Sequence, residues 1–478
     1  MVIYQHPSAL WAAFKKSDPR CEPTTSLLPT RIRIKNNGDG TGTARLVEAP
    51  PTVRRSSFSL FNHSIKQGSK RKLSLTLIRR SSEKAIRRDD EGFESGHAQG
   101  AKPRSRFDII TRMPTEVATL IFQYCDLQSI LAVTRVSKSW HNLAMQNPVW
   151  HSLVLQQPAW DLPPHKDAYI DYIDLYRRRL DLKQRWRKGQ VETRYLEGHE
   201  DSVYCLQFDN EKIISGSRDK KIKVWNSRTY QCMHTLQGHT ASVLCLRYHG
   251  NMLVSGSSDT SVRVWNLDTM ELSMQLNGHT SGVLDVCFND EYIISCSKDT
   301  TIRVWDRFTG EPVATLNGHR GPVNSVQVHG DQLVSAAGDG LVKLWDLKKL
   351  ALKRDFVGHT RGLACVQFDG KRILSGSNDK KIKVWDAKTG ECTMTLEGHE
   401  DLVRTLSFNE DMIVSGSYDQ TIRVWDIHTG HCMLSFQTGH PGWVFSTAFS
   451  ATRIISTSQD SKIMCMDFSS GLDTKFIV

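Results

Sequence analysis

From residue 196 onward the chain alternates apolar and polar positions in short bursts that restart every 40 residues. Each burst opens on a Gly-His pair: Gly198-His199, Gly238-His239, Gly278-His279, Gly318-His319, Gly358-His359, Gly398-His399 and, after one slip to 41, Gly439-His440. An alternating run follows, then a Ser-rich run, a turn Asp, and a third run that closes on Trp-Asp or Trp-Asn. The closing tryptophans are Trp225, Trp265, Trp305, Trp345, Trp385 and Trp425, and in the seventh burst Met466 stands in their place. Period-two alternation between turn residues predicts strands, and a fixed repeat of this length predicts stacked units that share one core.

Upstream, the period changes. Val117, Leu120, Ile121 and Tyr124 make one apolar stripe at helical spacing, behind Pro114, which suits the first turn of a helix. Asp126 is a cap for a second helix carrying Ile130, Leu131, Thr134 and Val136, and Trp140, Leu143 and Ala144 suit a third. Three short helices make a small core that a partner would complete. Residues 165–188 predict a further helix, with Tyr169, Ile173, Tyr176 and Leu180 on one side, long enough to act as a spacer. Residues 1–104 show no sustained periodicity and few aromatics, so they are expected to be mostly disordered.

The whole net charge lies in that leader, where 20 Lys+Arg face 9 Asp+Glu, while the remainder holds 42 of each. A solvated tail, a nuclear-import signal and a weak nucleic-acid contact all fit such a segment. It lacks the aromatic interleaving of a base-stacking surface, so no nucleic-acid partner is expected. The 11 cysteines form no C-x-x-C pair or metal-ligand spacing, and no metal or other cofactor is expected. Cys205, Cys245 and Cys365 recur at one place in the repeat, and Cys232, Cys392 and Cys432 at another, which reads as small apolar filler. Reduced thiols fit the cytoplasm and nucleus. There is no charged start followed by an apolar run and no stretch of ~18 apolar residues, so no membrane span is expected.

The seven Gly-His to Trp-Asp units resemble the WD-repeat propeller family over about 280 residues. The resemblance implies an all-β seven-bladed propeller over 191–478, with residues 191–196 closing the ring as the outer strand of the seventh blade. In each blade the His, a strand Ser, the turn Asp and the Trp indole would share one hydrogen-bond chain. The turn residues Asp219, Asp259, Asp299, Asp339, Asp379, Asp419 and Asp460 are then structural, and Met466 leaves the last blade one donor short. Residues 105–155, with Met113-Pro114, Ile121, Leu127, Val136, Ser137 and Trp140, resemble the small all-α F-box, and 156–190 are a helical linker. The architecture expected is multidomain: disordered basic tail, F-box, linker, propeller.

The repeats also provide an alignment within one molecule, in which polar variation marks candidate binding positions. Just before the turn Asp stand Arg218, Ser258, Lys298, Gly338, Asn378, Tyr418 and Gln459. Five residues after each His stand Tyr204, Leu244, Leu284, Asn324, Ala364, Arg404 and Phe445. In a propeller both sets surround the mouth of the central channel, together with Arg361. Cations among hydroxyl and amide donors suit phosphate, because charge-assisted hydrogen bonds are the strong ones.

An F-box followed by seven WD repeats is similar to the substrate receptors of SCF-type cullin–RING ubiquitin ligases. Stretches such as SVYCLQFD, GHRGPVN, GHTRGLACVQF and GHEDLVR follow the pattern of the beta-transducin repeat-containing kind. That resemblance implies recognition of a doubly phosphorylated D-S-G-x-x-S segment. The first phosphoserine would meet Arg218, Ser242, Ser258 and Lys298, and the second Arg361, the Gly362 backbone and Asn378. The substrate aspartate would face Tyr204, Arg404 and Tyr418, with Leu284, Asn324 and Ala364 lining the mouth. Asn378 replaces a serine of that pattern and Trp443 an arginine. The adaptor, and through it the cullin and RING subunit, would dock on Met113, Pro114, Val117, Ile121, Leu127, Ile130, Leu131, Val136 and Trp140. No catalytic residue is expected: there is no Gly-rich phosphate loop, nucleophile elbow or Cys/His pair in a catalytic setting. A receptor for a phosphothreonine-proline segment and a scaffold or corepressor propeller are the alternatives. The former would cluster arginines five after the His in adjacent blades, where Arg404 is alone.

Overall fold

The computed structural model describes residues 29–47, 108–157, 169–437, 440, 442–475 and 477. The chain divides into two compact units, one of residues 49–153 and one of residues 1–48 with 154–478.

In the larger unit the seven bursts fold as seven four-stranded blades. Blades one to six occupy 203–236, 243–276, 283–316, 323–356, 363–396 and 403–437, and the seventh combines 444–467 with strand β3 (Glu192–Leu196). The innermost strand of each blade lies against that of the next, and Val444–Phe449 returns to Val203–Phe208, which closes the ring. Each second strand is buried on both faces, as in Lys212–Ser217, because neighbouring blades cover it from either side. The outermost strands are largely exposed, as in Cys232–Leu236. Ring closure by β3 follows the sequence reading: Glu192 to Leu196 pair antiparallel with Asp467 to Ile463. Closure leaves no free edge at the seam.

The hydrogen-bond chain recurs with little variation. In blade one the Trp225 indole donates to Ser215 Oγ at 2.8 Å, Ser215 meets His199 Nε2 at 2.8 Å, and His199 Nδ1 meets Asp219 at 2.7 Å. Burial opposes ionisation of Asp219, but the His199 contact and the Lys221 and Glu200 amides outweigh it and hold the carboxyl at about 2. Burial disfavours the cationic form of His279, His319, His359 and His399, whose pKa values all fall below the ordinary imidazole value. In the seventh blade His440 still meets Asp460 at 2.8 Å, but its contact to Ser456 stretches to 3.3 Å where Met466 brings no indole.

Part of the leader departs from the disorder expected of it. Strands β1 (Thr30–Asn36) and β2 (Thr41–Leu46) form a hairpin. β1 pairs in parallel with the outer strand of blade six, Ile32 opposite Phe436, and β2 pairs with β3 through Thr41 and Gly42. One ten-stranded sheet therefore runs from blade six through the hairpin into blade seven. The linker also departs from a free spacer. Its helix (Tyr172–Lys188) starts on an Asp171 cap and ends at Gly189, φ +62°. A Cβ at Gly189 would lie 1.8 Å from Ile32 Cδ1, so both the left-handed turn and the hairpin require glycine here. Leu182 and Trp186 of the helix, Ile32 and Ile34 of the hairpin, and Met464, Met466 and Phe468 of blade seven share one core. Arg185 Nη1 donates to the Ser470 carbonyl at 2.6 Å.

The cysteines divide. Cys205, Cys245 and Cys365 are buried filler as expected, but Cys232 and Cys392 are exposed on outer strands.

In the smaller unit, α1 (Thr115–Gln123), α2 (Leu127–Val133) and α3 (Lys138–Ala144) follow the sequence reading, and α4 (Asn147–Leu155) adds a helix beyond the three expected. Pro114 sits one position earlier than anticipated, as the N-cap of α1. Asp126 and Ser137 cap α2 and α3 by accepting from the Ser129 and Trp140 amides.

Candidate functional site

Hydrogen bonding brings the two candidate sets to one end of the ring. In blades one to six the pre-turn amide donates to the carbonyl three residues after the blade's His: Gly338 to Pro322 at 2.8 Å, Arg218 to Ser202, Ser258 to Ser242 and Asn378 to Gly362 at 2.9 Å, and Lys298 to Gly282 and Tyr418 to Leu402 at 3.0 Å. The innermost strands start just beyond those carbonyls, so the residues five after the His lie at the same end. Contacts then join neighbours around the mouth. Asn324 Nδ2 donates to the Leu363 carbonyl at 2.6 Å, and Arg404 Nη1 to the Ala364 carbonyl at 3.2 Å. Ser202 Oγ reaches the Gln459 carbonyl at 3.2 Å, linking blade one to blade seven. A Cβ at Gly362 would lie 2.9 Å from the Gly338 carbonyl, so blades four and five meet here only through glycine.

The four cations differ in setting. Arg218 is 60% exposed and 3.6 Å from Asp201, itself 44% exposed, a loose pair of small net worth. Lys298 and Arg361 are exposed, and Arg404 is half-buried. Ser258 and Asn378 are exposed; Tyr204, Ser242, Leu284, Asn324, Gly362 and Tyr418 are half-buried; Ala364 is buried. The cations come from blades one, three, five and six, so a ligand touching all of them must cross the mouth rather than sit in one blade.

Two features were not anticipated. Asp285, one residue deeper on the innermost strand of blade three, accepts from Ser325 Oγ at 2.8 Å and from the Val326 amide at 3.0 Å. Burial raises its pKa above the ordinary carboxylate value, with Arg247 opposing. It clamps blade three to blade four beneath the mouth. The other is a cluster of aromatic rings: Tyr418 lies flat on Trp443, and Phe445 sits edge-on to both. The signal for the cluster lies in the sequence, since Tyr418 and Phe445 stand in the repeat alignment and Trp443 replaces an arginine of the family pattern, but single positions do not show that the three rings are neighbours across blades.

In the helical unit the stripe on α1 faces outward. Val117, Leu120, Ile121 and Tyr124 are exposed, with Tyr124 at 84%, and Val136 and Ile109 are exposed as well. The face turned inward is Ala118, Thr119 and Phe122. Among the expected docking residues, Pro114, Val117, Ile121 and Val136 are exposed, and Met113, Leu127, Leu131 and Trp140 are half-buried. Ile130 is fully buried and so is a core residue, because it fills the space under α2. The Trp140 indole N–H is held by Asp108 at 3.0 Å, and its ring packs on Phe122 at 5.8 Å. A small helical unit normally buries such a stripe, and here it is open to solvent.

Known proteins carry the same two parts. Residues 110–156 match the F-box-like family, and six stretches between 190 and 426 match the WD domain, G-beta repeat family. F-box/WD repeat-containing protein 7 of Drosophila melanogaster is 34% identical over 148 residues, 28% of this chain and 11% of the relative. A probable E3 ubiquitin ligase complex SCF subunit scon-2 of Neurospora crassa is 39% identical over 62 residues, 13% of this chain and 10% of the relative. The chain thus spans about a tenth of each of these relatives. The crystal structure of the computationally designed Ika8 protein is similar to 56% of this chain and covers 85% of its own, at TM-score 0.50 and 34% identity. With an F-box-like module ahead of a WD40-repeat propeller, the chain belongs to the F-box/WD-repeat proteins.

Proposed function

We propose that the chain is the substrate-receptor subunit of an SCF-type ubiquitin ligase, which holds a doubly phosphorylated segment of its target across the propeller mouth. The observation that carries this is the gathering of Arg218, Lys298, Arg361 and Arg404 at one end of a ring whose chain, residues 191–478, holds 30 Lys+Arg against 34 Asp+Glu. A phosphoserine carries about −1.5 to −2 charge and three acceptor oxygens. Two charge-assisted bonds to each, at ~1.5–3 kcal/mol apiece before desolvation, make affinity depend on phosphorylation by orders of magnitude. The exposed α1 stripe is the adaptor face, and the adaptor brings the cullin and RING subunit. The receptor positions substrate, and its partners perform the transfer. A relative named as an SCF subunit supports the assignment.

The test is isothermal titration of the full chain with a doubly phosphorylated D-S-G-x-x-S peptide and its unphosphorylated form. Tight binding of the first alone, abolished by Arg218→Ala or Arg404→Ala while adaptor pull-down is unchanged, is the expected result. Undiminished affinity in both variants refutes it.

A further inference from the structure

The end of the ring opposite the mouth is built from the turns after each innermost strand and each closing Trp, and there blades two and three break the repeat. Eight residues after the His the other six blades carry a neutral residue, Gln in three of them, and blade two carries Arg247. One residue after the pair that closes the third strand stand Ser227, Leu267, Leu347, Ala387, Ile427 and Phe468, all buried. Blade three carries Arg307 there, half-buried. The next position is polar in every other blade, but in blade three it is Phe308, 77% exposed. The Arg307 amide donates to the Glu291 carbonyl at 3.0 Å, which ties the two turns of blade three together at this end. Arg247 and Arg307 line one cavity of about 210 Å³, with His249, Phe288, Asn289 and Gln327. Arg247 Nη2 donates to Gln327 Oε1 at 2.6 Å, and Arg307 Nη1 donates to the Asn289 carbonyl at 2.8 Å, its guanidinium over the Phe288 ring. Among the described residues Arg247 forms no ion pair, and Arg307 has only Asp290, 3.6 Å away and fully exposed.

We infer that this cavity docks a carboxylate side chain, Asp or Glu, of a partner protein, with an apolar residue beside it that covers Phe308. Two guanidinium groups in one small cavity repel each other, a cost the other blades avoid, and an anion entering between them relieves it. Asp285 does not fill that role. It already accepts from Ser325 Oγ and from the Val286 and Val326 amides, and Arg247 bonds Gln327 instead. Volume and charge select the occupant. About 210 Å³ is below the ~300–1,000 Å³ of sites that enclose a small-molecule ligand, but it admits one side chain. A phosphate, at about −1.5 to −2, is opposed by Asp290 at the rim more strongly than a singly charged carboxylate. An exposed phenylalanine beside an arginine has the composition of an interface anchor. The site lies at the far end from the mouth, so its occupant and a segment held at the mouth bind one propeller together.

The experiment is an array of Gly-Ser peptides with one central Glu, Gln, phosphoserine or Lys, followed by Phe, Leu or Ser. It is probed with the full chain and with its Arg247→Gln, Arg307→Leu and Phe308→Ser variants. Gln and Leu are residues that other blades carry at those positions, and position 308 is exposed, so the melting temperature should hold within a few degrees. The expected result is that peptides with Glu before Phe or Leu bind roughly tenfold or more better than those with Gln, the scale of one charge-assisted bond. Arg247→Gln and Arg307→Leu each remove the discrimination of Glu from Gln. Phe308→Ser removes the preference for Phe over Ser and keeps that for Glu. Glu and Gln bound alike, a Glu preference that survives in both arginine variants, phosphoserine bound better than Glu through the same arginines, or no binding at all overturns the inference. Binding of the best acidic peptide should also persist when a doubly phosphorylated D-S-G-x-x-S peptide is present in excess. Competition between the two would put the acidic peptide at the mouth and overturn the inference as well.

Discussion

The Trp186 indole lies flat on the Phe468 ring, centroids 3.7 Å apart and planes at 9°, and its N–H donates to the Ala451 carbonyl at 2.9 Å. The linker helix is therefore part of the wall of blade seven. That blade lacks the closing indole of the other six, and the helix supplies an aromatic from outside the repeat. Trp186→Ala removes the stack, the hydrogen bond and a large buried surface. The expected cost is about 3–5 kcal/mol, the usual range for truncating a core tryptophan. Denaturant unfolding of the full chain checks it; a loss below about 1 kcal/mol would show that the helix merely rests on the propeller.

The hairpin closes the same seam from the other side. Ile32 and Ile34 are buried among Leu434, Phe436 and Met464, and their neighbours Arg31 and Arg33 point outward. A carboxylate at position 32 would be buried without a partner, so Ile32→Asp should release the hairpin and expose the outer edges of blades six and seven. The expected outcome is faster amide exchange confined to Cys432–Gln437 and β3, with blades one to five unchanged. Arg33→Glu, at an exposed position, should leave both protected.

On α1, the four exposed apolar residues give a prediction that separates docking from folding. Tyr124→Ala and Leu120→Asp alter side chains that face solvent, so the helical unit should keep its far-UV signal and its melting temperature within a few degrees. Adaptor capture should nonetheless fall at least tenfold, since a charge in an apolar interface is left unpaired. Ile130→Asp should instead unfold the unit, because Ile130 is core. Normal capture by Leu120→Asp would mean that the adaptor uses another face.

The blades were legible because each repeat restates the same physics: a Ser, His, Asp and Trp at fixed spacing that satisfy one another's hydrogen bonds inside a blade. Ring closure by 192–196 was legible for the complementary reason that the seventh unit lacked an outer strand. The hairpin was missed although Thr30 to Lys35 alternate and Asn37-Gly38-Asp39-Gly40 is a turn sequence. Its outward residues are arginines and a lysine, and the composition of the leader hid a strand of period two. Ile130 was misassigned because periodicity gives a stripe but not which side of it a neighbour covers. The mouth was legible position by position. The Tyr418–Trp443 stack was not, since it joins blades whose contact the sequence does not state.

Acid should weaken the propeller in two stages. His279, His319, His359 and His399 are held neutral by burial, below the ordinary value of about 6.5 that the unfolded chain shows. As pH falls through that value the unfolded state takes up protons that the folded state refuses, so stability drops, by about 1.4 kcal/mol per pH unit for each extra proton bound. The turn aspartates act lower. Asp219 and Asp299 keep their charge down to about 2 when folded and to about 4 when unfolded, so their contribution is complete above pH ~4 and is lost as pH falls through the folded value. Asp285 runs the other way: its folded pKa is raised, so it favours the fold most at low pH, and one group cannot offset the rest. Urea unfolding at pH 7.5, 5.5 and 3.5 should give midpoints that fall at each step. An unchanged midpoint between pH 7.5 and 5.5 would mean that the histidines accept protons within the folded blades and that the Trp–Ser–His–Asp chain does not depend on neutral imidazole.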